Sequence, residues 1–424
     1  MTMPGPPDPD VRLSPGARAL LGFLRAAPAA ASASAADLTP GVWQETLELA
    51  LHHGVASLLH RALESRGALP GLAQPVRAAL EHQRRATALD NLRNYGQFRR
   101  VARALRGHGI AVIALKGLHL AELVYRDISL RPMADLDILV SRSQVEQTVG
   151  ALHELDFGHA QNLAGEAGAM LDIKCNIGFA PRDVDIWLEV HWSLDEPPAR
   201  FAAVLEDIWR SAVPARVGDA DTLVMSPEFL LLHVCAHLAC NHTFAFSLRA
   251  LCDIAEIARK YSALDWAAVV DHGRRNDWCR GVAAALRLAS DHLGAAVPAR
   301  VLTALGADAL DPRMLAEAMQ HLLSCVDLPG ELVTAPNLLA LHDQRGPAQK
   351  LAAIWARVFV PRAELALRYG VPERSARLGL FYAVRLRDLL RRYAASAWAL
   401  NVSDPELAVA AARHARLASW IKGG

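Results

Sequence analysis

The chain has 424 residues, a length that suits two or three domains. Forty-five Lys and Arg against 44 Asp and Glu leave a formal charge of +1, which argues against a broadly basic nucleic-acid face or an acidic tail. With 52% apolar and 21% charged residues, the composition supports a large core and excludes a mainly disordered chain.

The opening MTMPGPPDPDVRL has no basic start followed by an apolar core and a small-residue cleavage site, so no secretory signal is read there. The most apolar stretch, Phe229 to Cys240, contains His233 and His237 and falls far short of the roughly 20 residues that a spanning helix needs. A cytoplasmic protein with no membrane role is expected. Cys175, Cys235, Cys240, Cys252, Cys279 and Cys325 form no CxxC pair and read as buried small apolar residues.

Residues 1–36 carry few structural signals beyond a short helix suggested by Leu20, Leu21 and Leu24. From Val42 a helical pattern of Trp43, Leu47, Leu51, Val55, Leu58, Leu59 and Leu63 runs to Gly67. A longer one covers Pro75 to Arg106, with Pro75 in its first turn and Arg and Gln suggesting one wet face. IAVIALKG (110–117) reads as a buried strand, Leu118 to Tyr125 as a helix, and DLDILV (135–140) as a second strand. Ser141 or Ser143 is the expected cap of a further helix with Val145, Val149, Leu152 and Leu155 on its core face. After Phe157 the chain reads as β again. IKCNIGFA (173–180) and VDIWLEVHW (184–192) form an expected antiparallel hairpin. Everything after about residue 196 reads as mostly helical, over 228–240, 247–260, 265–275, 278–293, 311–325, 347–359, 373–396 and 404–420.

Chemistry concentrates in ALKGLHLAELVYRDISLRPMADLDILV, residues 114–140. Side chains two apart on a strand share a face, so Asp135 and Asp137 lie side by side while Leu136, Ile138 and Val140 face the other way. Two such carboxylates repel one another beside a core unless a cation sits between them, and hard oxygen ligands suit Mg2+. An exposed edge pair facing water is the plainer alternative. On VDIWLEVHW, Asp185, Trp187, Glu189 and His191 share a face, and a third carboxylate from there would complete a clamp for two divalent ions. Glu189 is also placed to take a proton from an attacking hydroxyl. Lys116 and Gly117 stand at a strand end before a helix, where close backbone approach and free N–H groups suit phosphate. Arg131 is a second phosphate clamp, or else a partner for Asp127.

Together these motifs resemble the DNA polymerase β-like nucleotidyltransferase superfamily. More closely, LKG…LAELVY…LRPMADLDILV followed by EVHW resembles a bacterial nucleotidyltransferase family with the pattern LKG…Y…RP..D.D.L and (D)LHW, over roughly residues 41–300. Two departures stand out. Lys116-Gly117 replaces the superfamily's Gly-Ser, and Glu189 stands where the family commonly has Asp, with Asp185 as the substitute should Glu189 not face Asp137. The resemblance implies an α+β fold: a small mixed-sheet core over 108–195, preceded by a loose segment (1–36) and N-terminal helices (37–107), and followed by a larger helical domain (196–424). It implies transfer of a nucleoside monophosphate from an NTP, most simply ATP, to an acceptor with loss of pyrophosphate. Asp135, Asp137 and Glu189 would hold two Mg2+ ions, with Lys116, Gly117, Ser129, Arg131 and His191 around the nucleotide. The acceptor, whether small molecule, peptide or protein, is not specified by sequence. A non-catalytic nucleotide-binding or scaffold protein is the alternative reading.

Two further features lie outside this stretch. HVCAHLACNH puts His233 and His237 on one helix face with Cys240 and His242 behind, a set able to bind zinc or, more simply, to pack. Arg84, Arg85, Arg93, Arg99, Arg100, Arg103 and Arg106 share one long helix and read as a solvated face, not an RNA surface.

Overall fold

The computed structural model describes residues 13–25, 35–159, 171–172, 174–181, 186–245, 248–324, 355, 358–369, 371–372, 374–398 and 405–423. Asp185, Cys325 and most of the helix expected over 347–359 lie outside these. The chain divides into two compact units, one of Met1–Arg84, Leu231–Leu328 and Val409–Gly424, the other of Arg85–Leu230 and Pro329–Ala408.

The first unit is helical. α1 (Pro15–Leu24) starts where Ser14 accepts a hydrogen bond from the Ala17 N–H and Pro15 occupies the first turn. The pattern read as one helix from Val42 to Gly67 is two, α2 (Pro40–His52) and α3 (Ala56–Ser65). Gly54, at φ 64°, makes the left-handed break between them. The later helices of the chain appear close to their expected places, at Pro227–Ala236, Leu248–Lys260, Trp266–Arg275, Cys279–Leu293, Pro312–Leu322 and Pro405–Ile421, and, in the second unit, at Leu378–Trp398. Among the described residues, no helix is long and apolar enough to cross a membrane.

Three buried histidines in this unit are held neutral. Burial lowers His53 to about 4, His321 to about 3 and His414 to about 4, and the His321 and His414 rings share a 3.2 Å contact. Folded values below the unfolded 6.5 mean that the unfolded chain binds these protons first. Stability therefore falls as pH drops below 6.5 and goes on falling to about 4, by about 1.4 kcal/mol per pH unit for each histidine. Urea midpoints from pH 7 to 5 should show this slope, and a His321→Gln/His414→Gln variant should flatten it by about two protons. An unchanged slope would exclude these residues as its source.

The second unit is built on a seven-stranded sheet. α4 (Gln74–Gly107) begins in the first unit and continues in the second, where Tyr95, Phe98, Val101, Ala102 and Leu105 join the core under the sheet. β1 (Ile113–Ala114) is shorter than the expected run. α5 (Lys116–His119) follows and widens into a π turn over Leu120–Val124. Then come β2 (Asp135–Leu139), α6 (Val145–Glu154), β3 (Phe157–His159), β4 (Asn176–Pro181) and β5 (Trp187–His191). Neither serine caps α6. A 3-10 turn over Arg142–Gln144 intervenes, and the Ser141 and Ser143 hydroxyls bond each other.

The sheet does not stop near residue 195. β6 (Val213–Val217) and β7 (Ala220–Val224) form a hairpin that reading the C-terminal part as mostly helical missed. Its two-residue turn, Gly218-Asp219, has φ 54° and 61°, the positive values that suit the strand twist. The strand order is β3-β4-β5-β2-β1-β7-β6. β2 runs antiparallel to β1 and parallel to β5, while β1 runs parallel to β7. Leu136, Ile138, Leu188 and Val190 are fully buried on the core face, as the alternation along the two strands requires.

Candidate active site

The parallel register of β2 with β5 sets Asp135 opposite Trp187, Asp137 opposite Glu189 and Leu139 opposite His191. Residues paired across neighbouring strands point to the same face. Both β2 carboxylates and Glu189 therefore stand on the face away from the core.

Asp137 is the centre of the cluster and only 2% exposed. Its Oδ1 accepts from Lys116 Nζ at 3.2 Å and lies 2.9 Å from His191 Nε2. Burial alone would raise its pKa, but Lys116 and His191 outweigh that and hold the carboxylate well below the usual range. His191 Nε2 is also 3.2 Å from Glu189 Oε2. That contact is the main cause keeping Glu189 ionised below its ordinary value. Burial opposes charge on His191, yet the bonds to Asp137 and Glu189 raise its pKa. Lys116 follows the same pattern, disfavoured by burial and raised by Asp137, Asp135 and Glu189. Asp135 goes the other way. Burial first, then the neighbouring Asp137, raise its pKa, and Lys116 and Arg131 recover only part of the cost.

The backbone serves this geometry. Lys116 adopts φ 39°, a left-handed conformation uncommon for a non-glycine residue and typical of strained functional positions. Gly117 is required by close approach: a Cβ there would lie 2.7 Å from Met133 Cγ and 2.8 Å from Arg131 Nη1. Arg131, buried and donating to the Pro132 carbonyl, thus sits against the Lys116-Gly117 turn. Two α4 residues that nothing in the sequence singled out hold this loop. Asn91 Nδ2 donates to the Ile128 and Arg131 carbonyls, its Oδ1 accepts from the Met133 N–H, and Asn94 Nδ2 donates to the Met133 carbonyl.

The fold thus brings Lys116, Gly117, Arg131, Asp135, Asp137, Glu189 and His191 together. Ser129 is engaged elsewhere, its N–H and hydroxyl both donating to Asp127 Oδ1. Ligand atoms of Asp137, Glu189 and His191 lie within 4.8 Å of one another, and among the described residues no other trio of such side chains does. The histidine-rich helix therefore assembles no three-ligand site there. His237 and His242 approach to 3.1 Å between Nε2 atoms, while the His233 ring centroid is 5.9 Å from that of His237. The expected arginine face of α4 pairs with acids, Arg84 with Glu64, Arg93 with Asp90 and Arg106 with Asp221.

A family model described as an uncharacterised nucleotidyltransferase matches residues 39–294. The chain belongs to this family. It is accordingly a nucleotidyltransferase, a transferase of phosphorus-containing groups that uses an NTP as substrate. Comparison with curated proteins and with solved structures finds no match. The matched span takes in β1 through β7 and so the whole carboxylate cluster.

Proposed function

We propose that the protein moves a nucleoside monophosphate from a Mg2+–NTP, ATP in the simplest case, onto an acceptor hydroxyl and releases pyrophosphate. The observation that carries this reading is the register that lines Asp135, Asp137 and Glu189 along one face of two parallel strands. The donor set fits a divalent cation. Asp137 and Glu189 offer hard oxygens, and burial, then the neighbouring Asp137, raise the pKa of Asp135, a cost that a cation would relieve. Asp135, Asp137 and Glu189 would hold Mg2+, which when bound offsets charge on the transferring phosphoryl group.

The chain's own groups divide the remaining work. Lys116 and Arg131 receive the anionic triphosphate beside Gly117, whose missing side chain lets the loop close on the turn. The acceptor oxygen bonds to the α-phosphorus as the bond to the bridging oxygen breaks, and pyrophosphate leaves with that electron pair. Glu189 accepts the hydroxyl proton. Its lowered pKa makes it a weak base, so its fixed charge matters more than its basicity. His191, raised and shared between two carboxylates, orients them.

Label at the α- and γ-phosphates of the NTP tests this. The α label should pass to the acceptor, the γ label should leave as pyrophosphate, and both should cease with EDTA or in Glu189→Gln. Passage of the γ label to an acceptor would replace nucleotidyl transfer with kinase chemistry.

A further inference from the structure

Trp187 is a large apolar side chain left 38% exposed beside a buried carboxylate cluster. It lies opposite Asp135 in the β2–β5 register and two residues before Glu189, on the same face. The indole is fixed at two points. Its Nε1 donates to Glu189 Oε1 at 3.2 Å. Its six-membered ring lies over Gly178 of β4, where a Cβ would stand 2.4 Å from Trp187 Cζ2. Glycine at 178 is therefore what lets the ring rest on the strand. Asn176, also on β4, donates to Glu189 Oε2 at 2.8 Å, so β4 and β5 frame Glu189 together.

The sheet order gives this platform a side. Lys116 and Gly117 follow β1, on one flank of β2, while Trp187, Asn176 and Gly178 belong to β5 and β4 on the other. Attacking and leaving oxygens lie roughly in line at phosphorus. If the triphosphate rests on the Lys116 flank, pyrophosphate leaves there and the hydroxyl arrives over β5 and β4. With its N–H given to Glu189, the indole has only its ring face to offer. A ring face binds flat aromatic groups, or the apolar face of a sugar, better than flexible aliphatic chains.

Resting on the nucleotidyl-transfer reading above, we infer that Trp187 is the acceptor platform and that the acceptor carries its hydroxyl on or beside a ring that stacks on the indole. The stack sets the distance from ring to Glu189, so the reactive oxygen belongs to the ring or its first substituent.

The test uses the full-length protein labelled with fluorotryptophan, the Trp187 signal being assigned by its loss in Trp187→Phe. The wild type is first saturated with Mg2+ and a non-hydrolysable ATP analogue. Fluorine NMR then follows titration with N-acetyl-L-tyrosinamide, methyl β-D-glucoside or N-acetyl-L-serinamide at millimolar concentration. A ring-bearing probe should move the Trp187 signal and the serine probe should not; whichever ring probe acts distinguishes a phenolic from a sugar acceptor. By ligand-observed NMR, Trp187→Ala should bind that probe about tenfold more weakly, the loss of one aromatic stack, and Trp187→Phe should retain most of the affinity. If neither ring probe moves the signal, or Trp187→Ala binds as well as wild type, the platform is refuted. An equal loss of nucleotide-analogue affinity in Trp187→Ala would assign the indole to the nucleobase and overturn the acceptor role. Failure of the wild type to bind the analogue in a Mg2+-dependent way would sink the underlying reading instead.

Discussion

Asp135→Asn and Asp137→Asn should both abolish nucleotidyl transfer, yet move stability in opposite directions. On the proposed mechanism each removes a carboxylate from the set that would hold Mg2+, the ion that would offset phosphoryl charge. That contribution is worth several kcal/mol, so a loss of about a thousandfold or more is expected from either. The folded proteins differ. Asp135 is disfavoured as an anion by burial and by Asp137, so folding works against its charge at neutral pH. Making it neutral relieves that cost, and Asp135→Asn should melt higher than wild type in the absence of divalent metal. Asp137 is the common partner of Lys116 and His191. Asp137→Asn leaves Lys116 and His191 in a buried pocket with Asp135 and Glu189 as the remaining counter-charges. Removing one member of a buried charge pair costs about 3–5 kcal/mol, less whatever His191 recovers by giving up its proton. Thermal melts in EDTA read both signs. A destabilised Asp135→Asn would mean that this carboxylate is structural.

The contrast has a functional reading. A residue that costs the apo fold something and is kept on a strand of Leu and Ile is a sign that another requirement holds it there. Lys116 and His191 are cations already placed around Asp137, so the site tolerates its concentrated negative charge before any nucleotide arrives. Added Mg2+ should then raise melting more in the wild type than in either variant.

The Asp pair was legible because strand alternation is a local rule: the same period that buries Leu136 and Ile138 puts Asp135 and Asp137 on one face. The third acid was legible only as a candidate. That Glu189 faces Asp137 depends on β2 and β5 pairing in parallel and in this register, and no local pattern states which distant strands meet. The β6–β7 hairpin carried a readable turn in Gly218-Asp219, but Pro214 and two alanines weakened its strand signal. The Gly54 break was hidden because apolar spacing continued across it. Asn91 and Asn94 were invisible as functional support for a different reason. An asparagine on a polar helix face looks the same whether it meets water or the backbone of a loop 40 residues away.

Asn91→Ala should therefore be among the most damaging changes outside the carboxylates. Asn91 is fully buried and its amide satisfies three backbone groups, the Ile128 and Arg131 carbonyls and the Met133 N–H. Alanine leaves all three without that partner, and an unsatisfied buried group costs about 1–3 kcal/mol, so a loss of about 3 kcal/mol or more is expected. The same loop holds Arg131 against Gly117 and leads directly into Asp135. Loosening it should raise the KM for NTP more than it lowers kcat, because the Arg131 guanidinium proposed to receive the triphosphate moves while Asp137 and Glu189 stay in the sheet. Asn91→Asp should fail to rescue: a carboxylate can still accept from Met133 but cannot donate to the two carbonyls. Urea unfolding and NTP saturation curves taken at a temperature where the variant remains folded separate the two effects. A variant with the wild-type urea midpoint and the wild-type KM would show that the loop holds its shape without α4.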